Sequence, residues 1–461
     1  MQNILNALSD WVIATSDFVC GIPEFLLLIG GGLFLFIYSG GVSIRRLPWA
    51  IRALRHKQAS DAGKSTGQIS SVQALFSAIA ATVGMGNIAG VAIALSVGGP
   101  GTIFWMWVSA IVGMSTKFFE GTLSIMYKGR DNQGEPQGGP MYIITQGLGA
   151  KWKPLAVAFA VFGLVGTLCF MQANQLVESV TTVFTSPMGI DNTLTLRFIM
   201  GVVIMVIVGA VILGGIRRIA SIASRIVPVM VVLYLLLVVI IMALNIDKVP
   251  GVFGSIFANA FSFKAGLGGF VFVALTGARR AAFVNEAGIG TASMMHGASR
   301  NTEPVREGLI AMIAPAIDSG IVCTLTSIPI LIAGNFTGLT DPKGLYVALG
   351  AWGQLLPGIG QYLLMVIVFF FAFSTMFSYS YYGQKCTNFL FGAHSVKWYN
   401  YYYLVMIVVA AMIPLKTMVS IMDLAFALMA LCTMITLIAL SPRVKKLAAD
   451  YFQKDISSVE R

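Results

Sequence analysis

Charge is scarce in this chain of 461 residues: Asp, Glu, Lys and Arg together make up 11% of it. A soluble domain carries about 25%, so a soluble fold is excluded. Histidine is scarcer still. His56, His296 and His394 are the three present, each expected in a basic connecting segment, so a histidine metal cluster is not indicated. The five cysteines, Cys20, Cys169, Cys323, Cys386 and Cys432, are scattered and form no C-x-x-C pair. Neither a metal knuckle nor a disulfide framework follows from that spacing; small apolar filler does. The chain has no P-loop, nucleotide fingerprint, H-E-x-x-H, G-x-S-x-G or Asp-rich diphosphate motif, so nothing points to an enzyme or to ATP bound by this chain. The first basic residue is Arg45. A cleavable signal peptide needs a basic n-region, and none is expected.

What is abundant is apolar. Hydrophobic residues make up 57%, and mean hydropathy is +0.83. Apolar runs stand at 24–42, 71–95, 100–127, 155–183, 195–214, 225–245, 268–295, 308–334, 359–391, 399–415 and 418–440. That predicts about eleven helices near the length a bilayer requires, with the lipid bilayer as solvent. The net charge of +11 sorts by side, so nucleic acid is not its partner. Most basic residues follow alternate spans, beginning with Arg45, Arg46, Arg52, Arg55, Lys57 and Lys64 and ending with Arg443, Lys445 and Lys446. The opposite connections hold Arg197, Lys248, Lys264, Lys343 and Lys416. The positive-inside rule therefore places the N-terminus outside and the C-terminus in the cytoplasm. Residues 44–58 alternate basic and apolar residues at helical spacing, as an interfacial amphipathic helix does. The segment after Ser441 reads as a short, polar, frayed tail.

Residues 82–90, Thr-Val-Gly-Met-Gly-Asn-Ile-Ala-Gly, interrupt the second run. Each glycine weakens a helix by roughly 1 kcal/mol. In hydrocarbon, broken backbone survives only where it is buried in protein or lines a wet cavity. Freed amides and a half-helix N-terminus then attract anions, and freed carbonyls attract cations. Gly90 taken alone reads equally as close helix packing; the cluster with Asn87, flanked by Gln73 and Thr82, points to a site. A second interruption is expected at Thr276 and Gly277 in the seventh run. Five helices separate the two, so their helices run in opposite directions. That is the arithmetic of two inverted five-helix repeats.

These strings carry a resemblance. Gly-Met-Gly-Asn-Ile-Ala-Gly-Val-Ala, Gly-Gly-Pro-Gly at 98–101, Phe-Trp-Met-Trp-Val at 104–108, Gly-Gly-Pro-Met-Tyr at 138–142, Asn-Glu-Ala-Gly-Ile-Gly at 285–290 and Tyr-Tyr-Gly-Gln-Lys-Cys at 381–386 resemble the alanine/glycine:cation symporter family. The resemblance implies an all-α integral membrane protein of a bacterial-type cell membrane with a leucine-transporter-like inverted repeat. The repeats would span 67–245 and 246–440, after an extra helix in 1–43 and a cytoplasmic segment in 44–66, with 441–461 as tail. It also implies sodium-driven uptake of small neutral amino acids, alanine and glycine, by alternating access, with sodium the coupling ion and no cofactor.

By position in that family, amides at Met85 and Gly86 would hold the substrate carboxylate. The family more usually has a small hydroxyl residue where Met85 stands, which implies an altered pocket. Gln172 would accept from the substrate ammonium, a role that competes with a helix–helix bond. Thr82, Thr276, Gly277, Thr375 and Tyr379 would complete the pocket, Tyr379 alternatively being packing. Ser374 and Thr375 with the carbonyls of Ala80, Val83 and Phe371 would form a sodium site; such hydroxyls often only bond the preceding turn. Thr82 and Asn87 would form a weaker second site.

The remaining charges read as follows. Lys117 and Glu120, spaced i, i+3, would neutralise each other. Arg279 and Arg280 would pair with Glu286 near the cytoplasmic edge, or touch substrate. Asp318 reads as a hydrogen-bonded structural acid or a proton relay, which keeps proton coupling open. A channel is the other class; it would lack counterflow and usually shows a filter or acidic ring.

Overall fold

A chain with so few charges can satisfy its backbone in hydrocarbon only through helices or a closed barrel. The computed structural model, which describes residues 2–55, 67–262, 266–336, 344–413 and 415–459, is helical apart from one short ribbon. His56, Lys57 and Lys64, with the end of the expected amphipathic segment, lie outside the described residues, as do Lys264, Lys343 and the side chain of Lys416.

In chain order the helices are α1 (Asp10–Tyr38), α2 (Leu47–Arg55), α3 (Ser71–Thr82), α4 (Gly86–Gly98), α5 (Gly101–Met126), α6 (Ala150–Met188), α7 (Leu194–Ile212), α8 (Gly215–Leu244), α9 (Val249–Ala260), α10 (Gly266–Asn285), α11 (Thr291–Gly297), α12 (Pro304–Ala333), α13 (Gly344–Leu355), α14 (Gly360–Phe391), α15 (Val396–Met412) and α16 (Leu415–Val459). Among the described residues, eight are long and apolar enough to cross a membrane, or nine if the bent pair α3–α4 is one span. The sequence reading expected about eleven. The two outside this measure are α15, with 17 residues, and α10, which carries Arg279 and Arg280. The chain is a multi-pass membrane protein.

The helices pack in two groups. One has α10 and α12 lying along α5. In the other, α7 lies along α15 and α6 along α16. Between them, α3 is enclosed by α8, α14 and α11. Helix α3 starts with a capping box: Gln73 N donates to Ser70 Oγ at 3.2 Å, and Ser70 N donates to Gln73 Oε1 at 3.0 Å. Gln73 therefore orders a helix start instead of flanking the break. A ribbon of β1 (Gly129–Arg130) and β2 (Pro136–Gln137) links α5 to α6. Its Asp131 accepts from Asn388 Nδ2 of α14 at 3.0 Å.

Two expectations change. The tail does not fray: α16 continues to Val459. Phe452 is buried at 7% exposure, with Trp49 of α2 edge-on at 5.2 Å and the Arg46 guanidinium over its ring at 4.1 Å. That contact holds the end of the helix. Second, α10 runs unbroken through Thr276 and Gly277. Thr276 Oγ1 donates to Phe272 O at 2.7 Å, one turn back. Gly277 lets α10 approach α5, since a Cβ there would lie 2.2 Å from the Thr102 carbonyl oxygen and 2.9 Å from Trp105 Cβ. Because backbone cannot yield as a side-chain tip does, Gly277→Ala is expected to cost about 1–3 kcal/mol by overpacking. A thermal melt of the detergent-solubilised protein reads this; an unchanged melting temperature would remove the close approach.

Candidate functional site

The first break begins where α3 ends at Val83, whose backbone turns extended (φ −75°, ψ 93°). The chain resumes as a π-helical turn, Gly86–Gly90, and the two halves meet at a 55° bend. The Asn87 side chain closes the gap: Gly84 N donates to its Oδ1 at 2.9 Å. The first amides of a helix have no intrahelical acceptor, and Met85 and Gly86 stand at that position here. Met85 is fully buried there.

Opposite the break stands α14. Thr375 Oγ1 lies 3.3 Å from Ala80 O, 3.5 Å from Val83 O and 3.0 Å from Phe371 O. Ser374 Oγ donates to Phe371 O at 3.1 Å. The structure therefore gathers Ala80, Val83, Phe371, Ser374 and Thr375 at one point. Both hydroxyls also bond their own preceding turn, so the back-bonding reading and the clustered reading describe the same residues. What the back-bonding alone does not explain is the approach of two α3 carbonyls. Gly84 permits it: a Cβ there would meet Thr375 Oγ1 at 2.5 Å.

The second break is at Glu286–Gly290, between α10 and α11. Glu286 takes φ 51°, a left-handed conformation unusual for a residue with a side chain. Gly288 (φ 94°) and Gly290 (φ 97°) complete the turn. Every neighbour contributes a support. Thr291 Oγ1 donates to Glu286 Oε2 at 2.5 Å, and Tyr379 of α14 donates to Oε1. From α5, Lys117 Nζ donates to the Glu286 carbonyl at 3.0 Å, and Glu120 Oε1 accepts Gly288 N at 2.6 Å. Asn285 Oδ1 accepts Ala287 N at 3.0 Å. Thr433 Oγ1 of α16 donates to Ile289 O at 2.8 Å. Lys117 and Glu120 do pair, at 3.6 Å and both 1% exposed. Their shared task of holding a distant backbone was not visible in the spacing. The sequence signal for Glu286 as a support is its position directly after Asn285 in a Gly-rich string.

Arg279 and Arg280 do not pair with Glu286, whose carboxylate is taken by Thr291 and Tyr379. The Arg280 guanidinium instead lies over Gly90: a Cβ there would fall 2.1 Å from its Nε. Close approach is what Gly90 permits, the partner being an arginine and not another backbone.

Gln172 of α6 is 7% exposed, and its Oε1 has no donor among the described residues. Two residues on, Asn174 makes the helix–helix bonds, donating to Ala410 O at 3.0 Å and Ile413 O at 2.7 Å. Asp318 lies on a π-helical turn of α12, Ala316–Val322. It accepts from Asn87 Nδ2, so a third helix reaches the first break.

The broken helices are tied together at one end. Gln68 N donates to Ala298 O at 2.8 Å, and Arg300 N to Ile69 O at 2.8 Å. His296 is not in a connecting segment; it is buried in α11, 2.7 Å by Nδ1 from Glu307 Oε1. Glu307 also accepts from Ser299 Oγ at 3.1 Å and Asn301 Nδ2 at 2.9 Å.

A family model described as the sodium:alanine symporter family matches residues 5–460. A sodium/alanine symporter of Methanococcus maripaludis is 38% identical, the alignment covering 93% of this chain and 94% of the relative. An uncharacterized transporter of Haemophilus influenzae is also 38% identical, over 96% and 95%. A probable sodium/glutamine symporter of Bacillus subtilis is 34% identical, over 92% and 87%.

Breaking a buried ion pair by removing one partner strands a charge and costs about 3–5 kcal/mol, whereas replacing both is often close to neutral. Lys117→Met is therefore expected to destabilise strongly. Adding Glu120→Gln to it should recover the part due to the stranded charge, while the Glu286 carbonyl still lacks its donor. A double-mutant cycle on thermal stability checks this, and simple additivity would show that the pair acts as two independent residues.

Proposed function

The chain belongs to the sodium:alanine symporter family, and from that premise we propose that it couples sodium entry to the uptake of small neutral amino acids. One observation carries the reading: a threonine hydroxyl on α14 is drawn among three carbonyl oxygens, two from the interrupted end of α3 and one from its own helix, at 3.0–3.5 Å. Sodium is a hard cation that prefers oxygen ligands, and the proposed first site is Ala80, Val83, Phe371, Ser374 and Thr375. Thr82 and Asn87 belong to the second.

For the substrate, the amides of Met85 and Gly86 offer partial positive charge to a carboxylate without a basic side chain. The unsatisfied Gln172 oxygen offers an acceptor to an ammonium; buried polar atoms seldom remain without a partner. Tyr379, tied to Glu286, fixes the second break against α14. In this reading Thr276 and Gly277 are packing positions of α10 on α5. The substrate contacts so assigned are backbone amides and neutral side chains, which favours neutral amino acids. Met85, fully buried at the break, narrows the pocket toward alanine and glycine.

Two inverted five-helix repeats, preceded by the extra helix α1, account for breaks in α3–α4 and α10–α11. The two packing groups supply the bodies that rock about the site in alternating access. A potential of 100 mV is worth about 2.3 kcal/mol per charge, enough for accumulation of the order of tens of fold. The reading places the N-terminus outside and the C-terminus in the cytoplasm.

Proteoliposomes loaded with choline and given an inward sodium gradient are expected to accumulate radiolabelled alanine and glycine, and to show counterflow. Thr375→Val should reduce the sodium-dependent component more than tenfold, as about 1.4 kcal/mol per decade makes plausible for a lost ligand. Gln172→Ala should raise KM with sodium affinity unchanged. Flux without counterflow would establish a channel, and uptake driven by a proton gradient alone would move the coupling away from the hydroxyl site.

A further inference from the structure

Helix α2 lies beyond the end of α1 at Tyr38 and outside the apolar spans, on the side that the basic residues mark as cytoplasmic. One face of it is packed. Ala50 is fully buried, Trp49 stands edge-on to Phe452 of α16 at 5.2 Å, and Ala53 O accepts from Arg306 Nη2 of α12 at 3.3 Å. The helix thus touches one member of each packing group. Its opposite face is bare. Ile44, Leu47 and Ile51, three and four residues apart, are 59%, 36% and 44% exposed. Arg45, Arg52 and Arg55 are exposed among them and join no ion pair among the described residues. The charge extends beyond α2. Arg45 reaches the end of α1, where a Cβ on Gly40 would lie 3.5 Å from its Nη1. Lys445 of α16 holds its Nζ 4.3 Å from the centre of the Tyr38 ring, and Lys446 beside it is exposed. Between Lys445 and Phe452 the one acid is Asp450. An apolar stripe left bare at a surface marks a contact, and a stripe bordered by arginines is the form a helix takes when it lies in the plane of a bilayer surface.

We propose that this face is a docking surface for the anionic leaflet of the membrane. Ile44, Leu47 and Ile51 enter the acyl boundary, while Arg45, Arg52 and Arg55, with Lys445 and Lys446, hold phosphate-bearing headgroups. Charge selects the occupant: a basic cluster immediately beyond a membrane span attracts anionic lipid. The guanidinium fork suits phosphate oxygens, two donors to one group. Arg46 is spent differently, its guanidinium lying over the Phe452 ring at 4.1 Å, so it fastens the helix to the protein while its neighbours face the lipid. The inference is independent of which ion and which substrate the protein carries. Because α2 bridges the two packing groups, a headgroup bound to it favours the arrangement of those groups seen here, and a ligand that binds the folded state stabilises it.

Thermal unfolding of the purified full-length protein tests this, in detergent with added phosphatidylglycerol or phosphatidylcholine of the same acyl chains. Phosphatidylglycerol is expected to raise the melting temperature further than phosphatidylcholine, and the difference should shrink at high salt, as screening requires. The same shift with both lipids overturns the proposal. The triple variant Arg45→Gln, Arg52→Gln, Arg55→Gln should lose most of the difference; full retention removes the surface. As a control, Arg217→Gln with Arg218→Gln, exposed arginines in the first turn of α8, should keep it. An equal loss there shows that the lipid responds to net charge and not to this face, which also overturns the proposal. If the triple variant does not fold, wild-type proteoliposomes carrying a photoactivatable phosphatidylglycerol decide. Label concentrated on residues 44–55 supports the surface, and label there at the same level from the phosphatidylcholine analogue refutes headgroup recognition. Ile51→Glu separates the other occupant of the stripe. It is expected to reduce the phosphatidylglycerol shift with no change in oligomeric state; a dimer turned to monomer with the shift intact means that a second copy of the chain covers the stripe, and the proposal falls.

Discussion

An amide or carbonyl without a partner in hydrocarbon costs several kcal/mol, and this molecule interrupts its helical backbone twice, at Val83–Gly86 and at Glu286–Gly290. Everything else near the centre follows from how those interruptions are supported. At the first, Asn87 returns a side-chain oxygen to the Gly84 amide, and Thr375 meets the carbonyls left by the end of α3. At the second, the supports come from four separate elements: Lys117 and Glu120 of α5, Thr291 of α11, Tyr379 of α14 and Thr433 of α16. No single helix could form either interruption by itself.

That dependence has a functional side. A broken helix held by its neighbours changes when the neighbours move. Tyr379 and Thr375 belong to one helix, α14, and touch the second and first breaks respectively. The residues that lead into α3 and those that leave α11 are joined through Gln68, Ile69, Ala298 and Arg300. The two breaks are thus linked through α14 and again through the segments that flank them. The buried Lys117–Glu120 pair is better understood as a fixed support than as a source of stability, since buried ion pairs seldom repay their desolvation.

Much was legible. The glycines of residues 84–90 marked the first break because a glycine-rich, Asn-containing stretch inside an apolar run has few other physical uses. The adjacent hydroxyls of Ser374 and Thr375 stood out in a run of phenylalanines, and the structure brings them to Ala80, Val83 and Phe371. The second break was misplaced. Gly277 and the Gly288–Gly290 pair are alike in sequence, yet one lets a straight helix approach Thr102 and the other turns the chain with positive φ. Arg280 and Glu286 were matched on charge and proximity in sequence, while the fold sends one to Gly90 and the other to Tyr379.

Composition, apolar run length and the spacing of glycines depend on transfer from water and on local backbone freedom, so the sequence by itself determined a helical, multi-spanning membrane protein with a broken second run. Which side chain satisfies which freed backbone group depends on pairs separated by hundreds of residues, such as Asn87 with Asp318 or Thr375 with Ala80. A buried polar atom takes whatever partner the surrounding helices bring within about 3 Å. Only the tertiary structure decides that, because the apolar faces that orient those helices are too uniform to specify one neighbour.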